Sequence, residues 1–190
     1  MESPLAALSQ VVYALEKQGI TYVVVGSFAS SLHGLYRTTG DVDIVADIKL
    51  EQIKDFVAAL QSDFYIDELT VRRAVIERRS FNAIHFESVF KVDVFIPPST
   101  DFSQQQLRRR RAEQITPDAA QAIYVATAED TILAKLKWYR AGNEISNTQW
   151  TDVRGIIGAQ GTNLDVDYLR EWAARLNVLD LLEKALDEMR

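Results

Sequence analysis

Asp41 and Asp43 stand two residues apart in the apolar run Asp41-Val42-Asp43-Ile44-Val45, and Asp93 is the one acid within Val92-Asp93-Val94-Phe95-Ile96. The two-residue period of a strand turns Asp41 and Asp43 to one face. Neighbouring carboxylates repel unless a cation lies between them. A hard divalent ion such as Mg²⁺ or Mn²⁺ takes oxygen ligands, typically one or two carboxylates together with substrate phosphates. Asp93, buried alone, is costly unless it is paired or bound to metal. Two ligands from one strand and a third from a neighbour would hold two ions roughly 3.5–4 Å apart, the arrangement that clamps the attacking and leaving oxygens of an in-line phosphoryl displacement. In that role Asp93 would also accept the proton of the attacking hydroxyl. The plainer alternatives are exposed acids on an edge strand for the first two and an ion pair with Lys91 or an arginine for the third.

The phosphates have their own candidate upstream. Val23-Val24-Val25 reads as a strand that ends in Gly26-Ser27, with thirteen residues between Ser27 and Asp41. Glycine lets the backbone come close to a ligand, and the free N–H groups that open a helix attract anions. A simple turn and helix cap is the alternative. Arg37, Thr38 and Thr39, just before the acid strand, would either touch phosphate or substrate or shape the loop. Competing signatures fail: Gly26 is followed by Ser-Phe-Ala-Ser-Ser rather than the glycines of a dinucleotide fingerprint, and Gly34 by Leu35-Tyr36 rather than a P-loop Lys. His33 and His85, the only histidines, read as packing or strand residues. Arg108 to Arg111 is the strongest charge run; on a helix it would circle the axis, so part of it would face solvent or an acidic acceptor.

These residues need a scaffold. Leu5, Leu8, Val12 and Leu15 predict a helix over 4–18 stopped by Gly19. Strands are expected at 21–25 and 41–46, with a short helix over 27–35 between them whose N-cap is Ser27 and whose end is marked by Gly34. A helix over 50–60, a strand at 64–66 and a helix over 69–77 follow. Alternation at 80–87 and 90–96 predicts a hairpin closed by Pro97-Pro98, then a helix over 104–111 and a strand at 122–125. From Thr127-Ala128-Glu129-Asp130, a cap, the pattern is helical: to about 140, a polar break at 142–147, then 148–159, 166–175 and 179–189. The expectation is an α/β (α+β) catalytic domain over 1–126 and a helical domain over 127–190.

Composition narrows the class. The absence of Cys excludes disulfides, a thiol nucleophile and cysteine–zinc sites, and a net charge of −6 argues against broad coating of nucleic acid. No apolar run reaches the roughly 20 residues that span a bilayer. Met1-Glu2-Ser3-Pro4 lacks the basic and apolar regions of a signal peptide, so a cytoplasmic protein with no membrane partner is expected.

Gly26-Ser27, Asp41-Val42-Asp43 and Asp93 together resemble the hG[GS]…Dh[DE]h…D pattern of the polymerase-β-like nucleotidyltransferase superfamily. The segment Glu129-Asp130-Thr131-Ile132-Leu133-Ala134-Lys135-Leu136-Lys137, followed by Trp150-Thr151-Asp152-Val153, resembles the helical signature of the small AbiEii-type, toxin–antitoxin-associated members. The resemblance implies a nucleotidyltransferase fold: a mixed sheet flanked by helices, plus a C-terminal helical bundle. It implies metal at Asp41, Asp43 and Asp93, triphosphate at Gly26 and Ser27, Lys135 (or Lys137) turned to the phosphates, and Asp152 holding that lysine or a substrate group. A Lys beside a triphosphate stabilises developing charge. The expected reaction moves an NMP from an NTP to an acceptor hydroxyl of an RNA end, a protein or a small molecule such as an aminoglycoside. The competing readings are a non-catalytic nucleotide-binding or toxin–antitoxin module acting through a partner, and a sugar transferase whose D-x-D binds a nucleotide sugar. Only 40 residues precede Asp41, short for the last of these.

Overall fold

A computed structural model of the chain describes residues 4–34, 36, 40–115 and 122–189. Its described residues group into two compact units, one drawn from Met1–Val25 and Thr39–Val125, the other from Gly26–Thr38 and Ala126–Arg190.

The first unit is built on a mixed sheet. Its strands are β1 (Tyr22–Val25), β2 (Asp41–Ala46), β3 (Phe64–Tyr65), β4 (Ser80–His85), β5 (Lys91–Phe95), β6 (Arg111–Glu113) and β7 (Ile123–Val125). They lie in the order β3-β4-β5-β2-β1-β7-β6. β2 pairs with β5 in parallel and with β1 antiparallel; β4 and β5 form the expected antiparallel hairpin. Burial alternates along the central strands. Val42, Ile44 and Ala46 of β2, Val92 and Val94 of β5, and Phe81, Ala83 and His85 of β4 are buried, while their neighbours in sequence are half-buried or exposed. One face of these strands is therefore core.

Helices α1 (Pro4–Lys17), α3 (Ile53–Leu60), α4 (Glu68–Glu77) and α5 (Asp101–Arg109) complete this unit. α1 and α3 pack on each other, and Phe56 of α3 meets the Phe81 ring edge-on at 6.3 Å, so α3 lies on the core face. Leu8, Val11, Val12 and Leu15 of α1 and Ile53, Phe56 and Leu60 of α3 are fully buried, which is what their helical spacing demands. Tyr22 is buried as well. Its hydroxyl donates to Glu16 (2.9 Å) and accepts from the Tyr124 N–H (3.3 Å), and burial pushes its ionisation well above the ordinary tyrosine range.

The second unit holds α2 (Gly26–His33), α6 (Ala128–Ala141), α7 (Asn147–Gln160), α8 (Val166–Arg175) and α9 (Leu179–Asp187). α2, expected with the α/β half, packs on α6 and α7. Gly34 explains how. A Cβ there would lie 2.9 Å from the backbone N of Ile156, so only glycine lets the end of α2 come this close to α7. Around it, Gln160 donates to the His33 carbonyl (2.8 Å), and His33 Nε2 is 2.6 Å from the Ala126 carbonyl oxygen. Among the described residues no helix is long and apolar enough to cross a membrane.

Three local readings are corrected. Gly26, at φ 65°, is already the first residue of α2, so Ser27 lies inside the first turn and is not the N-cap. α5 starts earlier than expected, where Thr100 caps it by accepting from the Ser103 N–H, and it stops at Arg109. Arg110 is non-helical and Arg111 opens β6, so the four arginines do not ring one helix; the Arg110 guanidinium instead stacks 4.6 Å from the Tyr124 ring centroid.

Candidate active site

The register of β2 against β5 pairs Asp41 with Lys91 and Asp43 with Asp93. Residues opposite one another in adjacent strands share a face, about 4.8 Å apart. Asp41, Asp43, Lys91 and Asp93 therefore occupy the face opposite the core, and the intervening valines and Ile44 anchor the strands into it. On β1, Val25 pairs with Asp43, and the chain continues directly into Gly26.

Lys91 holds a central place in this cluster. Its Nζ donates to Asp93 Oδ2 at 2.5 Å and lies 3.7 Å from Asp41 Oδ2. The hydrogen bond to Asp93, and after it the charges of Asp93 and Asp41, hold the Lys91 ammonium above the ordinary lysine range, so it is a cation at any working pH. From β4, Asn82 sits opposite Asp93 and donates its Nδ2 to Asp93 Oδ1 at 2.5 Å. Both oxygens of Asp93 are thus engaged, and its side chain is only 15% exposed, against 45% for Asp41.

By chemistry the donor set, all carboxylate oxygens, suits a hard divalent ion. Three carboxylates present oxygens on one face, and that face already accepts a positive group between two of them. Among the described residues no group of three or more His, Cys, Asp or Glu side chains is placed so that it could hold a metal ion. The ion pair of Asp93 with Lys91, the plainer alternative for that acid, is formed. Asn82 was not singled out from sequence. Its only signal is its place on the polar side of an alternating strand, and its partnership depends on a register that alternation does not specify.

In the second unit, Lys135 of α6 is 5% exposed. Its Nζ is 2.7 Å from Asp152 Oδ2 and 3.3 Å from Gln149 Oε1, both on α7. Ser146 caps α7 by accepting from the Gln149 N–H; the expected polar break is present, with Asn147 alone of its residues in the helix, and α7 brings Asp152 opposite Lys135. Lys137, the alternative, is exposed. The Glu129-Asp130 pair fastens α8: Glu129 accepts from the Asp165 N–H at 3.1 Å, and Asp130 from the Tyr168 hydroxyl at 2.5 Å. At the start of α2, the Ser30 and Ser31 hydroxyls bond back to the carbonyls of Gly26 and Ser27. Arg37 and Thr39 lie outside the described residues. His85 is buried, with Nδ1 2.9 Å from Ser88 Oγ, and locks the β4–β5 turn.

No family model and no curated protein sequence matches the chain. Solved structures do. The crystal structure of ANT(2'')-Ia in complex with adenylyl-2''-tobramycin matches with a TM-score of 0.54 at 13% identity, over 90% of this chain and 95% of that one. The crystal structure of an antigenic nucleotidyltransferase-like protein from Paracoccidioides brasiliensis matches with a TM-score of 0.54 at 18% identity, over 95% and 91%. The chain has the fold of these nucleotidyltransferases.

Proposed function

We propose that the chain is a nucleotidyltransferase of the small AbiEii-type group that moves an NMP from an NTP to an acceptor hydroxyl with Mg²⁺ or Mn²⁺. One observation carries the reading: Asp41, Asp43 and Asp93 share the non-core face of β2 and β5, with Asp43 and Asp93 in direct register. In the reaction the acceptor oxygen bonds to the α-phosphorus, the bond from that phosphorus to the bridging oxygen breaks, and pyrophosphate leaves.

The three acids are assigned to the metal, which when bound neutralises phosphate charge at the reacting centre. Gly26, Ser27, Arg37, Thr39, Lys135 and Asp152 are assigned to the nucleotide. Asp93 is the candidate proton acceptor; its Oδ2 accepts from Lys91 and its Oδ1 from Asn82, and each oxygen has a second lone pair. Asp152 holds the Lys135 ammonium in one place.

The test is transfer of label from each α-³²P-labelled NTP, with Mn²⁺, to a panel of tRNA, the chain itself, a toxin–antitoxin partner and aminoglycosides. Label in the wild type that is lost in Asp41→Ala and Asp43→Ala supports the reading; equal labelling in all three proteins ends it. A second reading, a non-catalytic binding or toxin–antitoxin regulatory module, is favoured by the Lys91 ammonium, which already offsets the acids. Calorimetry separates the two: failure to bind any of the four NTPs with Mg²⁺ favours the module.

A further inference from the structure

We propose that Lys91 is a resident counter-cation of the acid face, one that a divalent ion must displace, so that this lysine sets the affinity of the site for metal. The inference rests on the reading of Asp41, Asp43 and Asp93 as ligands and goes beyond it, because it assigns a role to a residue that binds neither metal nor nucleotide.

Three observations carry it. Lys91 is paired with Asp41 across β2 and β5 and lies two residues from Asp93, so its stem rises from the same face as the three acids. Its Nζ is within 4 Å of two of them, at 2.5 Å from Asp93 and 3.7 Å from Asp41. Its side chain is 38% exposed, so the ammonium can swing to water without uncovering the core.

The charges set the direction of the effect. Three ionised carboxylates carry −3, and Lys91 reduces the face to −2. In the metal-free chain this offsets part of the repulsion among the three acids. An incoming dication meets a positive group within contact distance of two of its ligands, and repulsion at that range is large even when partly screened. Metal binding therefore includes breaking the Lys91–Asp93 hydrogen bond. Asn82 places no charge there and can keep its bond to Asp93 Oδ1.

The test compares Mn²⁺ binding, read as loss of the free-ion electron paramagnetic resonance signal, in the wild type, Lys91→Met, Lys91→Gln, Lys91→Arg and the double variant Asp43→Asn/Asp93→Asn. Thermal unfolding is measured alongside, in chelator and in excess Mn²⁺. The expected result is Mn²⁺ binding about tenfold tighter in Lys91→Met and Lys91→Gln, equivalent to about 1.4 kcal/mol. Lys91→Arg should stay within about threefold of the wild type. The neutral variants should melt lower than the wild type in chelator and regain the difference in Mn²⁺. Binding lost in the double variant but unchanged or weaker in the neutral Lys91 variants overturns the role of Lys91 and leaves the metal reading standing. Absence of binding in wild type and neutral variants alike, or binding indifferent to the double substitution, overturns the metal reading and this inference with it.

Discussion

Lys135 and Asp152 form a pair whose side chains are 6% and 9% exposed, so removing one partner strands a charge away from water. Asp152→Ala should cost about 3 kcal/mol of stability, in the range found for broken buried pairs, whereas Lys135→Met/Asp152→Leu should recover most of that loss. Urea unfolding of the three proteins checks this; a double variant no more stable than Asp152→Ala contradicts it. The same pair illustrates what single residues disclose. Asp41, Asp43 and Asp93 could be read because acids amid valines and isoleucines stand out at the alternate positions of their strands. Lys91 was legible only as one of two possible partners for Asp93. Asn82 was not legible, since its link to Asp93 runs through antiparallel register across eleven residues of chain.

At the scale of elements, Gly34 ties α2 to α7. Gly34→Ala would push a Cβ to 2.9 Å from the Ile156 N and 3.0 Å from the Gly155 carbonyl carbon, atoms of helix backbone that yield little. The expected cost is about 1–3 kcal/mol, the range for overpacking, seen as a lower urea midpoint; an unchanged midpoint refutes the close approach. Sequence placed this glycine at a helix end for its conformational freedom, whereas its structural reason is a neighbour 121 residues away. β6 was missed because three residues beginning with an arginine carry no alternation to detect.

Asp67 gives an element-level pH dependence. It caps α4, its Oδ2 accepting from the Thr70 N–H at 2.7 Å and the Thr70 hydroxyl at 2.8 Å, and these bonds hold its carboxyl below the usual range. A lowered folded value means that the ionised cap stabilises the fold above the ordinary carboxylate value of about 3.9 and loses this as pH falls through the lower folded value. The stability difference between wild type and Asp67→Ala, measured by urea unfolding, should therefore be larger at pH 7 than at pH 2. A difference that is constant or grows on acidification contradicts it.

At the scale of the molecule, the likeness to solved structures at 13% and 18% identity, with no matching family model, lies in the fold and not in the sequence. The order of elements, α/β before all-helical, could be read because helix and strand periods are local. The strand order β3-β4-β5-β2-β1-β7-β6 and the grouping of α2 with the tail could not, since both depend on pairings distant in the chain. The central claim is that the acid face of this fold turns over a nucleotide. Its most direct test is pyrophosphate release from NTP with Mn²⁺, in the presence of the acceptor panel, for wild type and the near-isosteric Asp43→Asn. The expected result is release by the wild type and a drop of at least about 10²-fold in the variant, the scale on which loss of one charge-stabilising group acts, with the variant's melting temperature held. Equal release by the two proteins would contradict it.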